Sequence, residues 1–358
     1  MHIPDGYLSP STCAVLYGAA IAAWYACLKR LKRVLLTRVV PLISVFAAFA
    51  FVVMMFNLPL PGGTTGHAIG VTIAAIVLGP AGAVVSISLA LALQALLFGD
   101  GGITTLGANC FNMAVIGSLV AYASYRALSA QALIDSRRRV IAAGIAGYLA
   151  ANASALAAAI ELGIQPALFH DAAGTPLYAP YPLKIAIPAI MLGHLTFAGI
   201  AEAVISAGLV AYLQAADPAL LARTSGLREA AVASGLRAPA SLRRLWATVA
   251  VLLILTPLGI LATGKAWGEW APSAFSRPEA RAQIAATSNN VPPPAAPPTG
   301  MQRLATLWTS PFPAYAPAFV RSPALGYLLS AMFGAGVCLL IALLAQAGLR
   351  RSHSEQAS

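Results

Sequence analysis

The sequence predicts an all-α, polytopic helical membrane protein: a bundle of about seven spans followed by a two-span C-terminal module. Three observations predict it. Of 358 residues, 59% are hydrophobic and only 9% are charged, against about 25% charged in a soluble domain. A soluble chain of this size cannot hide so much apolar surface, so lipid must cover part of it. The apolar residues also fall in runs close to the ~20 residues that cross a bilayer, with basic clusters between them.

The expected spans are 11–28, 40–58, 67–79, 81–98, 106–126, 139–160, 185–213, 246–264 and 325–348. The third and fourth are separated only by Gly79-Pro80. Proline breaks the helical ladder and a preceding glycine favours a turn, so residues 67–98 are expected to fold as a hairpin. Charge placement favours the same reading. With the N-terminus outside, the hairpin puts Lys29, Arg30, Lys32, Arg33 and Arg38 inside. Arg126, Arg137, Arg138 and Arg139 join them, as do Arg223, Arg228, Arg237, Arg243 and Arg244. With Arg350 and Arg351, that is most of the 22 Lys and Arg, the asymmetry that orients membrane proteins. A single span over 67–98 would put Arg137–Arg139 opposite Lys29–Arg33.

The organisation read from this is a membrane domain over 1–213, a polar cytoplasmic linker over 214–245 and a two-span accessory domain over 246–358. Within the last, the loop 265–323 lies outside and contains NNVPPPAAPPTG, a proline-rich tract expected to be extended and unpacked. The net charge of +11 is not a nucleic-acid signature, because the basic residues form no stripe interleaved with aromatics. Cys13, Cys27, Cys110 and Cys338 are scattered, with no CxxC pair, and read as small apolar packing residues. The opening MHIPDGYLSP has no basic n-region, so the mature protein is expected to begin at or next to Met1.

Histidine carries the chemical signal. His353 belongs to the polar C-terminal tail. His194 lies inside the seventh span, where a hydrogen-bonded structural role outweighs a ligand role. His170 beside Asp171 is either an orienting pair or a surface loop. His2 and His67 both fall on the outer side. An N-terminal dipeptide ending in histidine offers the Met1 amine, the His2 amide if deprotonated and the His2 imidazole. The His67 imidazole adds a fourth nitrogen. Four nitrogens in a plane suit Ni(II) or Cu(II), and amide deprotonation disfavours Mg(II), Ca(II) and Mn(II). Alone, a histidine at position 2 is a weak signal, since termini usually fray.

Several blocks carry a family resemblance: MHIPDGYLSP, then PGGTTGHAIG (61–70), GDGGITTLGANCFNMAVIG (99–117) and LFHDAAGTPLYAPYPLKIAIPA (168–189). Over about 1–213 the chain resembles the CbiM/NikM family, the metal-specific S components of energy-coupling factor transporters. TPLGILATGKAWGEW (256–270) is similar to the NikN/PDGLE-like two-span partner that some nickel systems fuse to the S component. The resemblance implies a square-planar N4 site from the Met1 amine, the His2 amide and imidazole, and His67, with no permanent cofactor beyond transported Ni(II) or Co(II). It also implies a transmembrane coupling (T) protein and two cytoplasmic ATPases as partners, in a cell (plasma or inner) membrane. Asn109 and Asn112 match the family's asparagine pair. They read either as holding the free ring nitrogens of the ligands or as helix–helix contacts. Asp5 either caps the first span or positions the terminal segment.

Three further features bear on function. Gly259–Ala266 nearly spells a phosphate-binding loop, but it ends in alanine and follows no strand. Ala14, Gly18, Ala22 and Ala26 form a small-residue stripe on the first span that suits either coupling-protein docking or chance in an alanine-rich chain. Glu202 in the seventh span is the main support for the alternative of a self-sufficient divalent-metal carrier or channel. A metalloenzyme would need an open metal position, which a closed N4 plane denies.

Overall fold

The structure, a computed structural model, describes residues 1–31, 39–60, 63–222, 242–262 and 264–357. Lys32, Arg33, Arg38, Arg223, Arg228, Arg237 and most of the 214–245 linker lie outside the described residues, as does the side chain of His353. Among the described residues, six helices are long and apolar enough to cross a membrane. These are α1 (Pro10–Leu31), α3 (Val71–Phe98), α4 (Leu106–Leu128), α5 (Arg137–Leu168), α6 (Leu183–Ala216) and the first part of α8 (Pro323–Ala357). Two apolar helices are shorter, α2 (Val39–Met54) and α7 (Leu242–Leu255). The described residues are all-α apart from a small hairpin of β1 (Leu58–Leu60) and β2 (Thr64–Gly66).

Local chemistry sets the ends of these elements. Pro10 stands at the first position of α1, where a missing N–H costs nothing, and the Ser9 hydroxyl accepts from Thr12 N at 3.1 Å. Ser136 caps α5 by accepting from Arg138 N. α2, α3, α4 and α5 pack successively, α5 against α6, and α8 against α2. α1 is peripheral: Val15, Ile21 and Tyr25 are exposed and a Cβ at Gly18 would meet nothing. Ile145, Phe197, Val204 and Leu344 are exposed too, so the bundle presents apolar residues outward, as a lipid-facing surface requires.

α3 folds back on itself. Its two ends both approach His2: His67 Nε2 lies 3.2 Å and Asp100 Oδ1 3.1 Å from His2 Nδ1. A straight helix of 28 residues would hold its ends about 42 Å apart. The reversal falls at Gly79, with φ 72° and ψ 171°, a conformation in which a Cβ is penalised. Pro80 follows and supplies no N–H to continue the ladder. The hairpin expected from Gly79-Pro80 is thus what the backbone forms, although its first limb begins at Val71 and not at His67. Residues 67–70 are non-helical and buried. Glu202 of α6 satisfies this stretch: its Oε2 accepts from Ile69 N at 2.7 Å and Gly70 N at 2.9 Å, and Oε1 from Thr72 N at 3.4 Å.

The segment between α7 and α8 departs from expectation. Composition makes the proline-rich tract unpacked, yet Pro293 and Pro298 are buried. Proline removes a donor but keeps its carbonyl, and one arginine uses several of them. The Arg281 guanidinium donates to Phe275 O at 2.9 Å, to Pro293 O at 3.0 Å and to Pro294 O. Tyr181 of the bundle donates to Val291 O at 3.0 Å. The segment meets the face that carries the N-terminus at Trp270, Gln283 and Trp308. Tyr7 donates to Trp270 O at 2.7 Å, Trp308 to Leu96 O at 3.0 Å and Gln283 to Gly63 O at 2.9 Å.

Candidate metal centre

The N-terminal segment is inserted, not frayed. Met1 is 8%, His2 3% and Ile3 1% exposed. Extended backbone held at a fixed depth needs its polar groups paired, and the loop 100–105 with Asn109 of α4 pairs them. Gly102 N donates to Ile3 O at 3.0 Å and Thr105 Oγ1 to the same oxygen at 2.5 Å. Asp5 positions the segment and does not cap α1: its carboxylate accepts from Ile103 N at 3.1 Å, from Thr104 N at 2.7 Å and from the Thr104 hydroxyl. This clamp requires glycine at 102, where a Cβ would lie 2.3 Å from Asp5 N. Ser9 N donates to Gln165 Oε1 at 2.9 Å and closes the segment's far end.

The clamp brings the His2 and His67 side chains together. The His2 and His67 rings stack with centroids 4.9 Å apart. His67 Nδ1 lies 3.0 Å from Ala68 O. A carbonyl only accepts, so Nδ1 carries the proton and Nε2 presents a lone pair to His2 Nδ1. Burial, then the nearby Met1 amine and His2, hold the His67 imidazole well below its ordinary pKa and keep that lone pair free. Imidazole nitrogens bind metals such as zinc at about 2.0–2.1 Å, which puts two adjacent ligands at right angles about 2.9 Å apart. The observed 3.2 Å between His2 Nδ1 and His67 Nε2 is close to that spacing.

Carboxylates stand on the same nitrogens. The Met1 amine lies 3.3 Å from Glu269 Oε1, in the segment before α8. Asp100 Oδ1 lies 3.1 Å from His2 Nδ1, and its Oδ2 accepts from Tyr315 at 2.6 Å. Among the described residues no three His, Cys, Asp or Glu side chains surround a common centre. His67 and Asp100 meet at His2 Nδ1 and not around an open point. A cavity of about 600 Å³ lies over this group, lined by His2, His67, Asp100, Lys265, Glu269 and Tyr315 among others.

The other residues that the sequence marks as candidates fall elsewhere. Asn109 does not hold a histidine ring: its Oδ1 accepts from Ile3 N at 2.8 Å and its Nδ2 donates to Ile3 O at 3.1 Å. Asn112 donates to Glu161 Oε2 at 2.7 Å. His170 Nδ1 lies 3.0 Å from the main-chain Asp171 O, and the Asp171 carboxylate caps Ala173 N and Thr175 N, which is a surface-loop arrangement. The four cysteines are free, and Cys13, Cys110 and Cys338 are buried. Gly259 lies in the turn Thr256–Leu261 against Met55 O, not in a strand-to-helix loop. Sequence reasoning does not single out Glu269, Asp100 or Tyr315. Asp100 has a signal, as the lone acid in GDGG, but Glu269 and Tyr315 owe their place to the folding of the C-terminal segment.

The decisive comparison is with families. A model described as "Cobalt uptake substrate-specific transmembrane region", CbiM, matches residues 2–220. The chain belongs to the CbiM family. It is 54% identical over 354 residues to the fused nickel transport protein NikMN of Rhodobacter capsulatus, covering 98% of each chain. It is 32% identical over 269 residues to the cobalt transport protein CbiM of Geobacter sulfurreducens, covering 72% of each. A crystal structure of a transition metal transporter, 52% identical, superposes with a TM-score of 0.57 over 64% of this chain and all of that one. As a CbiM-family member the chain is a multi-pass transport protein and not an enzyme.

Proposed function

We propose that this chain is the substrate-binding membrane component of an ATP-driven energy-coupling factor importer for Ni(II) or Co(II). The ion is taken from the outside into a planar nitrogen site made by the Met1 amine, the His2 amide and imidazole, and the His67 imidazole. One observation carries this reading: His2 Nδ1 and His67 Nε2 stand 3.2 Å apart beside a buried terminal amine. A metal entering between them replaces the proton they share. The amine and amide must also lose protons to bind, and the carboxylates of Asp100 and Glu269 line the cavity above, where a divalent ion would arrive. The names of the relatives, nickel transport for one and cobalt transport for another, support this choice of cargo.

The self-sufficient carrier is the weaker reading. Its main candidate for ion coupling, Glu202, is occupied by the backbone donors of Ile69, Gly70 and Thr72. We therefore assign energy supply to a transmembrane coupling protein and two cytoplasmic ATPases, with the N-terminus outside and the C-terminus in the cytoplasm. Residues 1–213 form the metal-binding domain, and 246–358 form an accessory domain whose outer segment closes over the site through Glu269, Trp270 and Tyr315. The test is nickel binding to purified protein with a native terminus. His2→Ala and His67→Ala should each abolish high-affinity binding, and unchanged binding in either would refute the site. Uptake in cells should require the co-expressed ATPases; full uptake by this chain alone would favour the carrier.

A further inference from the structure

His2 stands between two cavities. One is the large cavity over the site. The other has a volume of about 20 Å³ and is lined by Met1, His2, Thr65, Ile190, His194 and Trp267 among others. That is room for one water molecule. Among the described residues, two buried imidazole nitrogens lack a hydrogen-bond partner, and both belong to residues lining this small cavity: His2 Nε2 and His194 Nε2. A buried polar atom left unpaired costs free energy, so a pair of them at one cavity calls for an explanation.

The tautomers supply it. His194 Nδ1 lies 2.8 Å from Ile190 O. The carbonyl fixes the proton on Nδ1, so His194 Nε2 is an acceptor. His2 is in the opposite position. Without a metal, its Nδ1 faces the lone pair of His67 Nε2 and the Asp100 carboxylate, which calls for a proton on Nδ1. A metal at Nδ1 evicts that proton, and a neutral imidazole then carries its hydrogen on Nε2. The new donor needs an acceptor, and ligating histidines almost always have one. His194 also lies on a π-type turn, His194–Ala198, the kind of helix irregularity that often marks functional positions.

We propose that His194 is the positioning residue for His2: it accepts the Nε2–H of the metal-bound imidazole through a single water in the small cavity. His194 then fixes the ring angle and basicity of the His2 ligand without touching the ion. This assignment rests on the reading of the Met1–His2–His67 nitrogens as the metal site. It gives to a histidine of α6 the task that is one of the two sequence readings of Asn109 and Asn112.

The test uses the full chain with its native terminus, loaded with Cu(II) as a paramagnetic probe and, separately, with Ni(II). Electron spin-echo modulation reads the remote nitrogen of a copper-bound imidazole, whose quadrupole coupling responds to hydrogen bonding at that nitrogen. His194→Ala should change this remote-nitrogen coupling and weaken Ni(II) binding about 10- to 100-fold, with the in-plane nitrogen donors retained. His194→Gln places an amide oxygen near the position of Nε2 and should restore much of both. A coupling and an affinity unchanged in His194→Ala would overturn the role of His194 and leave the terminal chelate standing. An affinity loss with an unchanged coupling would also overturn it, as a packing effect only. Copper bound without nitrogen donors, or binding that survives His2→Ala, would overturn the chelate itself and this inference with it.

Discussion

Replacing Glu202 with alanine should damage metal binding from a position that touches no proposed ligand. Glu202 is fully buried, and its Oε2 accepts two short bonds, from Ile69 N and Gly70 N. Both donors lie in the non-helical stretch that runs from His67 into α3. Each buried donor left without a partner costs about 1–3 kcal/mol, so alanine should destabilise the fold by about 2–6 kcal/mol. Much of that strain falls on residues 67–70, because α3 beyond its first turn is held by its own ladder. Glutamine keeps an acceptor oxygen for both donors, and its cost should stay under about 2 kcal/mol. Thermal unfolding in detergent, with and without Ni(II), and a chelator competition for affinity measure both effects. Glu202→Ala should lower both quantities, and Glu202→Gln should lower each by less. If Glu202→Ala binds nickel as tightly as the parent and melts at the same temperature, the carboxylate does not hold the His67 segment.

Gly102→Ala should be severe for a single methyl group. Its Cβ would lie 2.3 Å from Asp5 N and force the terminal segment off the loop that clamps it, so nickel affinity should fall at least tenfold; retained affinity would show that the clamp is dispensable. Nickel affinity should also fall as pH falls, because the amine and amide bind metal only after losing protons. Competition titrations between pH 8 and 6 should show about tenfold weakening per pH unit for each proton released. His67 contributes less to that slope, since burial holds its imidazole well below its ordinary pKa. A flat profile would contradict deprotonated main-chain ligands.

Much of the fold is legible in the sequence because lipid imposes a coarse rule: apolar runs of a set length, with charge between them. The Gly79-Pro80 hairpin is readable for a local reason, since φ 72° suits glycine and Pro80 cannot donate to the ladder before it. The pairing of His2 with His67 follows from placing both on one face. What composition does not reveal is pairing across distant segments. Nothing local in NNVPPPAAPPTG says that Arg281 will collect its carbonyls, and nothing in WGEW says that Glu269 will reach the Met1 amine. Asn109 lies near the site but with a different partner from the one expected, because sequence gives the neighbourhood of an amide and not its hydrogen bonds. Glu202 looks like a functional intramembrane acid for the same reason. Its partners are backbone N–H groups left free where α3 starts late, and no residue pattern marks them.

The central claim is that the chain's own terminus is a ligand. The direct measurement compares nickel affinity of the protein bearing a free Met1 amine with that of the same protein acetylated at Met1 or extended by two residues before it. The account predicts that either change removes high-affinity binding as completely as His2→Ala, while the protein stays folded and monodisperse. An extended or acetylated protein that binds nickel as tightly as the native one would contradict it.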